Sequence, residues 1–424
     1  EAHRLETFGQ GESLLQGALL EELEDKLHFF VEECDYLQVL CDLADGFVGL
    51  GSKVTELLQD SYGGRGILTW GMTPVGHRDS VSDSNWFICR FKMFCKQDFS
   101  LIQTPFRDLC RLLNCSLGMV HMAAHSSLFC PLTLQGGLGR RPTSPPQFPL
   151  LTYDPSLWYH SSSVLALALD ALTVSYRLRN NSVPMWQVAD LLAVSGRKVV
   201  AAYGAIPFPM MSGGSLPDAL SACADALPWK PLSACPEAGE GQCYGQLTSL
   251  KGFEGQKLIS CLAASPAWTN ARRYHGNSRG EPDCLEMFDW VCIGPLRFPR
   301  LALQLVSSPS KLTPPFPQIF SQSLDAQGFL RSEAPPPGAL GPVISSVPVM
   351  TSLQSGPALD PWLSELHRAT SAFDIRRVAP SFLSQGPEMA EYQEALEELR
   401  LLARCYRDDS SGVMRSSSEE EDDD

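Results

Sequence analysis

The chain has 424 residues, 44% of them hydrophobic and 19% charged, with a net charge of −15 at pH 7. That length and composition describe a globular protein with room for two or three domains and a sizeable core. The negative balance, with no basic stripe interleaved with aromatics, excludes a nucleic-acid binder.

The first predicted element is a helix over residues 20–33. Leu20, Leu23, Leu27 and Phe30/Val31 share one face, with acids on the other. Tyr36 to Cys41 is a short apolar run suited to a buried strand. Next comes a glycine-containing turn, Asp45-Gly46-Phe47-Val48-Gly49-Leu50-Gly51-Ser52. Val54, Leu57 and Leu58 then fall at i, i+3 and i+4, which predicts a helix over 52–62. A strand, a Gly-rich turn and a helix start present backbone N–H groups at the positive end of a helix dipole, where phosphates bind. Asp45, Gly46, Gly49, Gly51 and Ser52 are therefore the candidate phosphate-contacting residues. Gly66 to Trp70 predicts a second strand, which completes a βαβ unit with a parallel sheet.

Residues 75–104 show no clean period and are expected to be an insertion. Helical spacing returns over 106–124 through Leu109, Leu112, Leu113 and Met119. Residues 135–156, rich in Gly and Pro, predict a loop. Ser161 to Arg177 is apolar on most sides and predicts a central, buried helix. Its most apolar stretch, Val164 to Val174, carries Asp170 and is too short to span a bilayer, which needs about 20 apolar residues. A helix over 188–194 and a strand over 198–203 follow, the strand running into Ile206-Pro207-Phe208-Pro209. These elements group as a first domain, 1–212. Residues 213–345, rich in Pro, Ser and Gly, are expected to be poorly ordered. Residues 346–407 predict a helical C-terminal segment, and 408–424 an acidic disordered tail. In that tail Ser416, Ser417 and Ser418 each have an acid three residues on, which suits an acid-directed kinase.

Other chemistry is weakly signalled. There are 14 cysteines and no Cys-x-x-Cys pair, a pattern of free thiols in a reducing compartment rather than zinc ligands or disulfides. His121 and His125 stand at i, i+4, but no third ligand lies at motif spacing, so structural histidines are expected. Neither a Gly-x-Ser-x-Gly elbow nor a Gly-Lys-Ser/Thr phosphate loop occurs.

The stretches Phe30-Val31-Glu32-Glu33-Cys34-Asp35-Tyr36-Leu37-Gln38, Leu40 to Phe47, Leu57-Leu58-Gln59-Asp60, Ile67-Leu68-Thr69-Trp70-Gly71, Val120 to Leu128 and Ile206-Pro207-Phe208-Pro209 resemble the tubulin/FtsZ superfamily. They resemble most the Misato family, a divergent eukaryotic branch. The resemblance covers roughly residues 4–212 and is patchy at 215–235 and 345–405. It implies a tubulin/FtsZ-like α/β domain with a parallel sheet, here expected to lack its N-terminal strands. It implies that the turn at 45–52 corresponds to a Gly-Gly-Gly-Thr-Gly-Ser-Gly loop around nucleotide phosphates. Gly49 and Gly51 keep glycines of that loop, whereas Asp45, Phe47 and Val48 replace small or donor residues. His160 stands nearest the position of the family's base-stacking asparagine, and Asp190 can match its acidic position.

GTP is the cofactor the resemblance would suggest. The degenerate loop and the absent first turn make the expectation no cofactor and no GTPase activity. By resemblance the function is regulation of mitochondrial distribution, morphology and fusion. It would be exerted from the cytoplasm and, peripherally, the mitochondrial outer membrane, with protein partners there and with tubulin or microtubules as further candidates. The alternatives are a GTP-binding tubulin-like protein, a spindle-associated interaction protein, or a nonfunctional paralogue.

Overall fold

The computed structural model describes residues 5–31, 34–73, 103–134, 144–179, 183–214, 219, 229–235, 243–253, 301–333, 341–384 and 386–407. Of the insertion expected at 75–104, residues 75–102 lie outside them, as does the tail from residue 408 with Ser416, Ser417 and Ser418, while 103 and 104 open a helix.

Among the described residues the chain opens with α1 (Phe8–Glu12) and α2 (Ala18–Val31), then β1 (Tyr36–Asp42), α3 (Phe47–Tyr62) and β2 (Gly66–Met72). There follow α4 (Gln103–His125), β3 (Leu128–Leu132), α5 (Trp158–Leu172), α6 (Val174–Arg177), α7 (Met185–Leu192) and β4 (Ala201–Ala205). The second half supplies β5 (Lys230–Pro231), β6 (Gly245–Lys251), β7 (Leu301–Val306), β8 (Ser310–Lys311), β9 (Ser346–Val347) and β10 (Val349–Ser355). It closes with α8 (Leu359–Ser371), α9 (Ile375–Val378), α10 (Pro380–Ser384) and α11 (Met389–Cys405).

The fold is mixed α/β. Strands β1, β2 and β3 form a parallel sheet in that order, with Tyr36 opposite Gly66 and Leu68 opposite Leu128. Parallel neighbours need crossovers, and α3 and α4 supply them. The period-2 alternation of β3 sorts its side chains onto two cores. Phe129 joins the cluster built on α4, α8 and α11, while Leu128, Cys130 and Leu132 join the cluster built on α5 and α7. Phe129 donates to the Lys198 carbonyl at 2.8 Å and accepts from the Val200 N–H at 2.9 Å. Through that bridge the chain crosses into a second, five-stranded sheet of order β5-β4-β10-β6-β7.

Several elements differ from the sequence-based expectation. Strand β1 is not buried: among the described residues it is the edge of its sheet, with Leu40 53% exposed. Helix α3 begins at Phe47, five residues before the predicted start. The helix expected over 161–177 breaks at Thr173, whose hydroxyl bonds back to the Leu169 carbonyl at 2.6 Å. The region 213–345, expected to be poorly ordered, contributes β5 to β8, and β6 is buried at every position. The segment 346–407, expected to be helical, begins with β9 and β10, and β10 pairs antiparallel with both β4 and β6. Pro and Ser content obscured these strands because their neighbours in the sheet, not local pattern, define them.

One polar cluster ties the two halves together. Asp170 on α5 accepts from Arg177 at 2.8 Å, from the Ser310 hydroxyl at 2.9 Å and from Lys251 of β6. Burial pushes the Asp170 carboxyl up, but the bonds from Lys251 and Arg177 outweigh it and hold the carboxyl below its ordinary range. A carboxylate with a depressed folded-state pKa contributes stability above its unfolded pKa of about 3.9, and that contribution is lost as pH falls through the folded value. Asp170→Asn is therefore expected to destabilise the chain by about 1–2 kcal/mol at neutral pH, discounted for the partial exposure of the carboxylate. It should also flatten the acid limb of stability below about pH 4. Urea unfolding across pH 3–7 reads both effects.

Candidate functional site

The candidate phosphate-contacting residues converge where β1 meets α3. Gly46 adopts helical angles, φ −65° and ψ −11°, and is the residue from which α3 starts. The Asp45 carboxylate accepts the Phe47 N–H at 3.0 Å, and the Asp45 carbonyl accepts the Val48 N–H at 3.2 Å. Gly49 N–H bonds to the Gly46 carbonyl at 3.1 Å, and Gly46 N–H to the Leu5 carbonyl at 3.1 Å. These donors, which a phosphate would need, are all engaged within the chain. The Asp45 side chain thus closes an Asx turn over Gly46, the N-cap of the helix. Asp45→Ala is expected to cost about 1 kcal/mol, the worth of one such hydrogen bond, measured as a shift of the urea midpoint at unchanged slope.

The glycines have a second use. A Cβ at Gly49 would overlap the Phe8 carbonyl oxygen and come within 2.8 Å of the Glu12 N–H nitrogen. A Cβ at Gly11 would overlap the Gly46 carbonyl, and one at Gly46 would lie 2.7 Å from the Thr7 carbonyl. Three glycines therefore let α1 lie against α3 backbone to backbone. Phe8, 1% exposed, pins α1 from the other side, and its ring lies 5.2 Å from that of His121. Gly51 faces β1 instead, where a Cβ would overlap Cys41 Sγ and come within 2.8 Å of the Met122 methyl. Ser52 is 6% exposed, and its hydroxyl has no hydrogen-bond partner. Gly49, Gly51 and Ser52 all lie inside α3 rather than in a turn before it.

Beside the helix start lies a cleft of about 150 Å³ lined by Leu5, Glu6, Asp42, Asp45, Arg107, Arg111, Cys110 and Trp158 among others. That is below the ~300–1,000 Å³ of typical ligand pockets. Asp42 is committed locally, accepting the Ala44 N–H at 2.6 Å. Burial pushes the Cys110 and Cys41 thiols up to about 12, so neither is a thiolate nucleophile at neutral pH. Trp158, not His160, is the aromatic residue of α5 in this cleft, and His160 Nδ1 accepts the Asp154 N–H at 3.1 Å. Arg107, Arg111, Asp42 and Trp158 escaped the sequence reading. The i, i+4 spacing of the two arginines at the start of α4 was the one available signal.

The remaining candidates lie elsewhere. Asp190 is on the exposed side of α7. Burial lowers the His121 pKa, and the His125 Nδ1 is buried without a partner. Among the described residues no group of three His, Cys, Asp or Glu side chains is arranged to hold a metal ion.

No family model matches the chain. Curated proteins do. It is 58% identical over 430 residues to Protein misato homolog 1 of Danio rerio, an alignment covering 100% of this chain and 67% of that protein. It is 43% identical over 412 residues to Protein misato homolog 1 of Bos taurus, covering 96% and 66%. It is 25% identical over 427 residues to Protein misato of Drosophila melanogaster, covering 96% and 67%. The chain thus spans about two thirds of the length of these relatives.

Proposed function

The chain belongs to the Misato family, and from that premise we propose that it is a non-catalytic, tubulin/FtsZ-like regulator of mitochondrial distribution, morphology and fusion. It acts from the cytoplasm and the outer mitochondrial surface through protein partners there and needs no bound cofactor. The observation that carries the non-catalytic reading is the start of α3. Its N–H groups are taken up by Asp45, Gly46 and Leu5, and α1 lies over its glycines. The turn has kept the place of a phosphate loop and given its glycines to helix packing. The tubulin-like reading is supported by the β1-α3-β2 crossover with its glycine turn, the parallel neighbour β3 and the buried α5. Among the described residues no helix is long and apolar enough to cross a membrane, which accords with peripheral attachment.

Depletion of the endogenous family member in cultured cells tests the reading. A changed mitochondrial distribution and fusion rate, restored by re-expression, is the expected result. An unchanged mitochondrial network overturns it. One observation favours a second reading, a GTP-binding protein: Arg107 and Arg111 line the cleft beside the helix start, where they could meet phosphates. Saturable binding of Mg–GTP separates the two.

A further inference from the structure

Helix α1 is five residues long, too short to hold itself in water, so its place depends on what it touches. One contact is backbone to backbone, over the glycines at the start of α3. The other is Phe8, whose buried ring lies tilted by 32° against His121 of α4, the centroids 5.2 Å apart. His121 stands where α1, α3, α4 and α11 meet. Facing it are Phe8 from α1, Glu56 from α3, Glu391 from α11 and, one turn along α4, His125. Helix α10, which also touches α1, reads Pro-Ser-Phe-Leu-Ser and brings no titratable group. Neither carboxylate is held for His121. Glu56 pairs with Lys53 at 2.8 Å, and Glu391 accepts the Glu388 N–H at 2.9 Å in the capping box of α11. His125, its Nδ1 buried without a partner, supplies no counter-charge and adds a like charge once protonated. A cation on His121 would therefore be desolvated against Phe8 with no ion pair to offset it.

We propose that α1 is an acid-opened latch: a proton taken up at His121 drives its ring away from Phe8 and lifts α1 off the glycines of α3. Burial, and then His125, hold the His121 pKa below its ordinary value of about 6.5. The undocked state therefore binds the proton first. Docking is at full strength above about pH 6.5 and weakens as pH falls through the folded-state value. Glu12 at the end of α1 acts with the opposite sign. Burial raises its carboxyl against the pull of Lys53, helped by Glu391 and Glu56, so a proton there favours docking.

Hydrogen exchange of the purified chain at pH 7.5 and 5.5, corrected for the intrinsic pH dependence of exchange, tests this. The readouts are the amides of Gly11 and Ser13, which bond to the carbonyls of Thr7 and Gly9 across α1. The amides of β6 report global opening. One proton shifts the open population by at most about tenfold per pH unit, so protection of α1 should be about three- to tenfold weaker at pH 5.5, with β6 unchanged. His121→Phe keeps the ring contact and removes the proton, so α1 should be equally protected at both pH values. Where phenylalanine does not fit, His121→Gln should be as insensitive to pH at a lower level of protection. Glu12→Gln removes the opposing group and should leave the wild-type loss as large or larger. Equal protection of wild-type α1 at the two pH values, parallel loss in α1 and β6, or a pH dependence that persists without the His121 ring each overturns the proposal.

Discussion

Replacing Gly49 with alanine is expected to destabilise the chain by about 3 kcal/mol, the upper end of what overpacking costs. The sign is opposite to the ordinary rule. Alanine is the better helix former by about 1 kcal/mol, so at an exposed helical glycine the change would stabilise. Gly49 sits in the first turn of α3, and an added methyl would overlap the Phe8 carbonyl and crowd the Glu12 nitrogen. Both obstacles are backbone atoms, which no rotamer change can move. Helix α1 must lift, and with it Phe8, which is buried in the core shared by α4 and α11. Gly64 provides the comparison, since a methyl there meets nothing within 4 Å, and Gly64→Ala should change stability by less than about 0.5 kcal/mol. Urea unfolding of the two variants side by side measures the difference. Equal midpoints would mean that α1 does not lie on α3 as described.

The second large effect is expected at Tyr406. It is fully buried, and its hydroxyl donates to the Val199 carbonyl at 2.7 Å and accepts the Val199 N–H at 3.0 Å. Val199, two residues before β4, forms a parallel bridge to Phe129 of β3, and it too is 0% exposed. The end of α11 is held at the same point, since the Tyr406 carbonyl accepts from the Tyr244 hydroxyl at 3.3 Å. Arg197, stacked 4.1 Å over the Tyr244 ring, donates to the Cys405 carbonyl at 2.5 Å. Tyr406→Phe keeps the packing and strands a buried N–H and C=O, which should cost about 1–3 kcal/mol. Tyr406→Ala adds a cavity and should cost about 3–5 kcal/mol. Hydrogen exchange at Val199 is the specific readout: the phenylalanine variant should lose protection there while the amides of β6 keep theirs. Unchanged protection at Val199 would contradict the assignment.

How far the sequence disclosed this molecule depended on range. The βαβ unit was legible because its signals are local: the apolar run at 36–41, the stripe of Val54, Leu57 and Leu58, and the run at 66–70. The edge position of β1 was not, since it depends on which strands pair. The strands after residue 213 were hidden for a similar reason. Thr248, Ser249, Thr351 and Ser352 are buried polar residues whose place is set by a sheet of neighbours far away in the chain. At the candidate site the glycines were legible in the sequence, and what packs against them was not. Gly46, Gly49 and Gly51 suggested close approach of a phosphate. The close approach is real, but for Gly46 and Gly49 the approaching group is the backbone of residues 7–12, and for Gly51 it is Cys41. A glycine signals that something lies near its Cα, and only tertiary structure says what.

The measurement that bears most directly on this account is a calorimetric titration of the purified chain with Mg–GTP at physiological salt. At the start of α3 the Phe47 N–H is taken up by the Asp45 carboxylate and the glycines are covered by α1, so no saturable heat is expected up to about 1 mM, which corresponds to a binding free energy weaker than about −4 kcal/mol. A dissociation constant in the micromolar range, lost when Arg107 and Arg111 are both changed to alanine, would contradict it and make the cleft beside Trp158 a nucleotide site.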